Sequence, residues 1–203
     1  MRSDVIALAA MAAWAAGAAF GAARGLWLGL GSTAIIVGGI VLPLEWRQLQ
    51  PMLRVRPTHV ALGIGAGVAM VLATRALYMP VSNWLPFVHA DTVTLYAALG
   101  ARPPALYGLL IVPIALGEEL VWRGAVQGAL QRRCRPAAAA VLGAALYAVM
   151  QVPVGVPTLT LTALGCGLVW GLLRAATAGV VAPLLAHLVW NEVMFFVAPL
   201  VAP

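Results

Sequence analysis

The sequence has very little charge. Charged residues occupy 9% of its 203 positions, against roughly 25% in typical soluble domains. Hydrophobic residues occupy 63%, and the mean hydropathy is +0.98. Because a single domain of this length has too little interior to bury so much apolar surface, these values exclude a soluble globular enzyme and a disordered protein. We therefore expect an all-α, polytopic transmembrane helical bundle surrounded by lipid.

Lysine is absent, and cysteine occurs only twice. Cys134 and Cys166 are far apart in the chain, so they do not indicate the disulfide framework of a small secreted protein. The net charge of +6 comes entirely from arginine. The arginines lie at the ends of apolar segments and form no single patch, which is typical of membrane topology and not of nucleic-acid binding. We therefore predict the lipid bilayer as a partner and no nucleic acid.

Apolar runs of about 20 residues, the length that crosses a hydrocarbon core, recur along the chain. We predict about seven spans, with six to eight compatible with the boundaries, and interpret the first as a retained helix and not a cleaved signal peptide. The spans cover about residues 5–23, 26–44, 58–78, 105–130, 137–152, 158–173 and 178–201. Residues 79–104 contain four prolines and are interpreted as a loop with a short interfacial or re-entrant helix. Gly63, Gly65 and Gly67 suit close helix packing.

The placement of arginine predicts the orientation of the chain, because cytoplasmic loops are enriched in basic residues. We predict a multi-pass protein of a bacterial-type inner (plasma) membrane, with its N-terminus in the cytoplasm. Arg24, Arg75 and Arg102 then fall on the extracytoplasmic side. The arginines at the cytoplasmic side are Arg2, Arg47, Arg54, Arg56, Arg132, Arg133, Arg135 and Arg174.

Two adjacent glutamates interrupt the fourth apolar run, where an ionisable residue is costly without a partner. Glu119 and Arg123 are spaced i, i+4, so they share a helix face and can pair, whereas Glu118 points about 100° away. A carboxylate without a cationic partner in a low-dielectric pocket suits general acid–base catalysis. The alternative is that both glutamates are interfacial charges at a cytoplasmic helix end. The apolar run 124–130 that follows favours the deeper position.

Polar side chains also interrupt the last and the fifth apolar runs. His187 and Asn191 are spaced i, i+4 and can together hold a substrate carbonyl and the oxyanion it becomes; a hydrogen bond between helices is the structural alternative for His187. Tyr147 and Gln151 form a milder pair with the same spacing. Zinc usually takes three or four His, Cys or carboxylate ligands, and the last four spans hold one histidine, so we predict no metal and no cofactor.

These motifs, in this order, resemble those of the CPBP intramembrane proteases, which include the CAAX prenyl endopeptidases and bacterial immunity and sorting relatives. Glu118-Glu119-x-x-x-Arg123 is similar to the EExxxR motif, and His187-x-x-x-Asn191 is similar to the third motif. The resemblance covers about residues 105–196. It implies a catalytic helical core over residues 105–203, preceded by transmembrane helices and an extracytoplasmic or interfacial loop over residues 1–104.

The resemblance also implies roles for these residues in a glutamic-type mechanism without a metal. Glu118 would activate the water that attacks the scissile amide, and His187 and Asn191 would stabilise the oxyanion. Glu119 and Arg123 would be supporting residues.

The middle motif departs from the family pattern. The segment from Tyr147 to Gln151 stands in the place of FxxxH, so Tyr replaces Phe and Gln replaces His. Glutamine can position a water molecule by hydrogen bonding, but it cannot take up a proton near pH 7. Tyr147 is included as a supporting residue, and Gln151 is assigned the orientation of the water.

We therefore predict an intramembrane endopeptidase that cleaves the C-terminal region of a membrane-tethered protein, with a CAAX-like or sorting tail, near the cytoplasmic membrane face. One alternative is a catalytically impaired pseudoprotease that acts as a membrane scaffold or chaperone, which Gln151 favours. Another is a small proton-coupled transporter with Glu118 and His187 as a relay, although no internal repeat supports it. The motifs can meet only if the fourth helix continues past Arg123 or the fifth helix starts deep in the membrane. We predict the former, with one helix from about residue 105 to residue 130.

Overall fold

The computed structural model describes residues 2–99 and 105–201, and its regular secondary structure within these ranges is helical. The α-helices are α1 (Arg2–Arg24), α2 (Ser32–Leu44), α3 (Trp46–Leu49), α4 (Pro57–Trp84), α5 (Pro86–Leu99), α6 (Ala105–Glu119), α7 (Gln127–Gln131), α8 (Pro136–Val149), α9 (Pro157–Thr177) and α10 (Val181–Glu192). Three π-helical segments (Trp27–Gly31, Leu120–Val126 and Val193–Val197) and two 3-10 segments (Gln50–Leu53 and Val152–Val154) adjoin them. The predicted all-α membrane bundle is confirmed.

The number of spans is lower than predicted when judged by length and composition. Among the described residues, four helices are long and apolar enough to cross a membrane: α1, α4, Pro136–Val154 and α9. A fifth span arises if Leu28–Leu44 and Trp46–Leu53, which meet at an angle of 91°, are counted as one. The last apolar helix, Val181–Val197, is shorter than the predicted run. These criteria therefore give four or five spans in the described ranges instead of six to eight.

For residues 79–104 we predicted a loop with a short helix: the short helix is present as α5, but residues 79–84 form no loop and continue α4. Helix α4 continues through Pro80 to Trp84, and α5 follows after the single residue Leu85. Leu85 has φ −123° and ψ 85°, because the residue before a proline avoids the α-helical region. Pro86 then begins α5, a position where its missing N–H costs no helical hydrogen bond. The other predicted loop residues, 100–104, which include Arg102, lie outside the described residues.

The helix that carries the glutamates is continuous, as predicted. Helix α6 passes into the π-helical segment Leu120–Val126, which passes into α7 without an intervening turn. Its residues from Leu120 to Val126 are all buried. The chain therefore remains helical past Arg123, and Glu118 lies near the middle of a single helical rod.

Glycines allow two pairs of helices to approach closely. A Cβ atom added to Gly63 would lie 2.6 Å from the Ala182 carbonyl oxygen, and one added to Gly67 would lie 2.7 Å from Val189 Cβ. Helices α4 and α10 thus pack backbone to backbone, whereas Gly65 faces open space. A Cβ atom on Gly117 would overlap the backbone of α2 at Ala34. This second contact fixes the position of α6 immediately before Glu118.

The bundle has two chemically different ends. At the arginine-rich end, the Asp4 carboxylate accepts hydrogen bonds from Arg132 at 2.6 Å and Arg133 at 2.9 Å. At the opposite end, Arg75 donates to the Ala198 carbonyl at 2.7 Å. Arg174, predicted at the cytoplasmic side, lies within α9, which continues to Thr177, and its buried side chain donates to Met52 Sδ in the segment Gln50–Leu53.

Candidate active site

The three sequence motifs converge on one cavity. Its volume is about 480 Å³, and most of its lining is apolar. The polar groups in its wall include Glu118 from α6, Tyr147 and Gln151 from the α8 region, and His187 and Asn191 from α10. An apolar chamber with a few convergent polar side chains is the usual form of a small-molecule or peptide site.

The cavity lies toward the end of the bundle opposite the arginine-rich end. Its wall includes Thr74 and Val81 from the second half of α4, Thr158 from the beginning of α9, and Leu200 near the C-terminus. Arg132 follows Glu118 by 14 residues, which corresponds to about 20 Å along the helix. The expectation that the site lies near the arginine-marked cytoplasmic face is therefore wrong for a chain oriented by its arginines.

One carboxylate oxygen of Glu118 accepts a hydrogen bond from the protein, and the other does not. The Tyr147 hydroxyl donates a hydrogen bond of 2.6 Å to Glu118 Oε2, and the Glu118 residue as a whole is 9% exposed. Among residues 2–99 and 105–201, no protein group forms a hydrogen bond with the other oxygen, Oε1. Glu118 therefore faces the cavity with a carboxylate oxygen that a water molecule can reach.

Glu119 is bound on the other side of the helix. Its side chain is fully buried, and its Oε1 lies 3.4 Å from an Arg123 guanidinium nitrogen and 2.9 Å from His187 Nδ1. The predicted pairing of Glu119 with Arg123 is thus present. The two adjacent carboxylates have different surroundings, since Glu119 is held by two basic side chains while Glu118 is held by a hydroxyl.

The positive charge of Arg123 is stabilised by other groups besides the Glu119 carboxylate. It donates to the Gly167 carbonyl at 3.4 Å, and its guanidinium lies 5.1 Å from the Tyr147 ring centre and 5.0 Å from the Trp170 ring centre. Cations over aromatic faces at this distance are attracted by the ring quadrupole. The arrangement fixes the Glu119 carboxylate from behind the cavity wall.

His187 is held in a single orientation. Its ring stacks on Trp170 with centres 3.8 Å apart and planes inclined by 19°, while Nδ1 contacts Glu119. Asn191 lies one turn later on α10, buried and on the same cavity wall. Both side chains therefore face the chamber that Glu118 faces.

The region that contains these motifs matches a family model. Residues 100–193 match the model described as Rce1-like, type II CAAX prenyl endopeptidase Rce1-like. The match covers 94 of the 203 residues. No curated protein and no solved structure matches the chain. The family resemblance inferred from the motifs is confirmed, and the match supports a CAAX-type intramembrane protease in general terms.

Gln151 is the residue of the Rce1-like region that departs from the motif pattern. It lies just after the end of α8, is 2% exposed and lines the cavity. Its Oε1 atom is buried without a hydrogen-bond partner among the described residues. A buried amide oxygen usually has a partner, so this acceptor is suited to hold a water molecule or a substrate N–H group.

Sequence reasoning missed two aromatic residues that shape the site. Trp170 lies under both Arg123 and His187, and Trp122 packs against the Tyr147 ring at 5.0 Å. The available signal was weak, because a tryptophan in an apolar helix is common and its neighbours come from other helices. Cys166 also lines the cavity, and its thiol is free.

The side chains in and around the cavity do not form a set of ligands suited to a metal ion. Within the ranges that the structure describes, no group of three or more His, Cys, Asp or Glu residues is arranged to hold a metal. The donors in the Rce1-like region are instead engaged with one another, since Glu119 contacts both His187 and Arg123.

Proposed function

We propose that the protein is an intramembrane endopeptidase in which Glu118 activates the water that hydrolyses a peptide bond. The observation that carries this proposal is the convergence of Glu118, His187 and Asn191 on one cavity. The pairing of Glu119 with Arg123 supports it further, because it leaves Glu118 as the carboxylate available for acid–base chemistry.

The proposed reaction begins with water held by the free Oε1 of Glu118. Glu118 takes one proton from the water as its oxygen bonds to the scissile carbonyl carbon. The resulting tetrahedral oxyanion collapses, the C–N bond breaks, and Glu118 returns the proton to the leaving nitrogen. The products are a carboxylic acid, which then ionises, and an amine. Gln151 is proposed to orient the water through its unpartnered amide oxygen.

The oxyanion is proposed to be held by His187 and Asn191. His187 can donate from Nε2 only if both ring nitrogens carry protons, because Nδ1 already faces the Glu119 carboxylate at 2.9 Å. The negative charge of Glu119 would offset the charge of that imidazolium. Asn191 would supply a second, neutral donor. A preorganised pair of this kind is worth about 10²–10³-fold in rate for each donor.

We propose that the substrate is the C-terminal region of a membrane-associated protein, with a CAAX-like or sorting tail, that reaches the site from the bilayer. The mainly apolar cavity wall supports this, because it suits a chain arriving from lipid. No cofactor is needed in this proposal, since each step uses side chains of this chain.

We propose a bacterial-type inner-membrane location with the N-terminus in the cytoplasm. The arginine distribution supports this orientation. It follows that the cavity faces the extracytoplasmic half of the bilayer, because it lies toward the end opposite Arg132 and Arg133.

The test is cleavage of membrane-anchored peptides by the purified protein in liposomes. The variant Glu118→Gln should lose activity by at least about 10²-fold. The matched control is Glu192→Gln, which removes a carboxylate next to Asn191 on α10 that is not in the proposed machinery. Full activity of the Glu118→Gln variant would refute the proposal.

A pseudoprotease that acts as a scaffold is the second candidate, and Gln151 is the observation that favours it. The variant Gln151→His distinguishes the two. If the wild-type chain is inactive on every peptide that the Gln151→His variant cleaves, the scaffold is favoured over the protease.

A further inference from the structure

We propose that Tyr147 is a positioning residue whose hydroxyl aims the Glu118 carboxylate at the water. The inference rests on the proposed function, because it concerns how the general base is held. Tyr147 was expected only to support the site. The structure assigns it the one hydrogen bond that the Glu118 carboxylate receives from a group in the described residues.

The geometry of this hydrogen bond is that of a strong contact. A carboxylate can only accept, so the Tyr147 hydroxyl is the donor, and the oxygen–oxygen distance is 2.6 Å. Hydrogen bonds from a hydroxyl to a charged oxygen are typically 2.5–2.7 Å long and stronger than neutral ones. Oε2 is thereby fixed, and Oε1 is left for the water.

The tyrosine ring is held on several sides, so the hydroxyl cannot move away. Its centre lies 5.0 Å from Trp122 and 6.5 Å from Trp14, and the Arg123 guanidinium lies 5.1 Å from it. A Cβ atom on Gly167 would lie 3.1 Å from Tyr147 Cδ1, so even the smallest side chain there would press on the ring. A donor locked by packing is what a precise catalytic geometry requires.

Removal of the hydroxyl has a specific expected effect on Glu118. The other charged or titratable groups near this carboxylate are Glu119 and Arg123 on its own helix and His187 on α10. Without Tyr147 as a donor, the carboxylate is free to rotate toward Arg123 or His187 and away from the water. The chemistry would then slow, although the substrate would still bind.

The test is Tyr147→Phe in the reconstituted cleavage assay. The ring and its packing remain, so we expect kcat to fall by about 10²-fold, as for the loss of one positioned donor, while KM and the melting temperature stay near wild type. The control Ser82→Ala removes a buried hydroxyl of α4 that lies outside the cavity lining and forms no hydrogen bond with Glu118. Its kcat should not show this drop. An unchanged kcat for Tyr147→Phe would overturn the inference.

Measuring Tyr147→Phe in a second sequence background, the Gln151→His variant, separates a positioning role of Tyr147 from a merely structural one. In the Gln151→His variant, an imidazole on the same cavity wall can exchange a proton and bond to Glu118 or the water, which glutamine cannot do. We expect Tyr147→Phe to cost less than about 10-fold in kcat there, a non-additive result. An equal loss in both backgrounds, accompanied by a lower melting temperature, would show a structural role and overturn the inference.

Infrared difference spectroscopy gives a readout that needs no turnover. The difference between the wild type and Glu118→Gln isolates the carboxyl bands of Glu118, and the same difference in the Tyr147→Phe background should have shifted bands. Unshifted bands would overturn this inference alone. Full activity of Glu118→Gln would instead refute the proposed function, so the two failures are distinguishable.

Discussion

Replacement of Glu119 tests whether its contacts serve stability, catalysis or both. In Glu119→Gln the charge is lost, and the buried Arg123 guanidinium has no carboxylate within 4 Å among the described residues. Loss of one member of a buried ion pair typically costs about 3–5 kcal/mol. Arg123 keeps the Gly167 carbonyl and two aromatic faces, each face worth roughly 0.5–2 kcal/mol. We therefore expect a loss near the lower limit, about 3 kcal/mol.

The double variant Glu119→Leu with Arg123→Met separates the two roles. Replacement of a whole buried pair by apolar side chains of similar volume is often neutral or stabilising, so we expect stability to return to within about 1 kcal/mol of wild type. Activity should not return, because His187 Nδ1 has lost the acceptor that lies 2.9 Å from it. A loss of at least about 10²-fold is expected.

The assay for stability is equilibrium unfolding in mixed micelles with increasing denaturing detergent, followed by tryptophan fluorescence. The same preparations are then reconstituted for cleavage. Two results would refute the reasoning: a Glu119→Gln variant as stable as wild type, or a double variant that recovers wild-type activity. In the first case the pair is not a net stabilising contact, and in the second Glu119 does not orient His187.

Further outcomes test other parts of the site. Asn191→Ala should lower kcat by about 10²–10³-fold with little change in stability, as measured in the cleavage assay. Gly117→Val should lower the free energy of unfolding by about 1–3 kcal/mol or more, because its side chain would overlap α2 at Ala34. Cys134 should react with a membrane-impermeant maleimide in inverted vesicles but not in intact cells, whereas an Ala198→Cys variant should show the reverse. Dialysis against a chelator should leave the cleavage rate unchanged, because every proposed step uses side chains alone.

The helical character of the chain and the pairing within each motif were predictable, because both depend on local spacing. Glu119 and Arg123 pair at i, i+4, as the helical repeat dictates. A short helix within residues 79–104 was predicted, but its extent over residues 86–99 and the continuation of α4 through Pro80 were not, because the prolines suggested a loop; Pro86 is at the one position in a helix that favours proline. The partners that side chains find on other helices could not be predicted from spacing along the chain. The contact between His187 on α10 and Glu119 on α6 is an example. The end of the bundle at which the cavity lies also depended on tertiary packing.

The buried Arg174 side chain contacts the π-helical segment that carries Arg123. A π-helical segment such as Leu120–Val126 disturbs the regular ladder of backbone hydrogen bonds, and in a membrane protein neighbouring side chains must satisfy the backbone groups that this frees. Arg174 Nε donates to the Arg123 carbonyl at 3.3 Å, and Gln48 Nε2 donates to the Gly124 carbonyl at 3.1 Å. Both donors come from other elements of the bundle. The arginine interpreted as a topology marker thus also stabilises the segment that supports Glu119, because its buried guanidinium donates to the backbone of that segment.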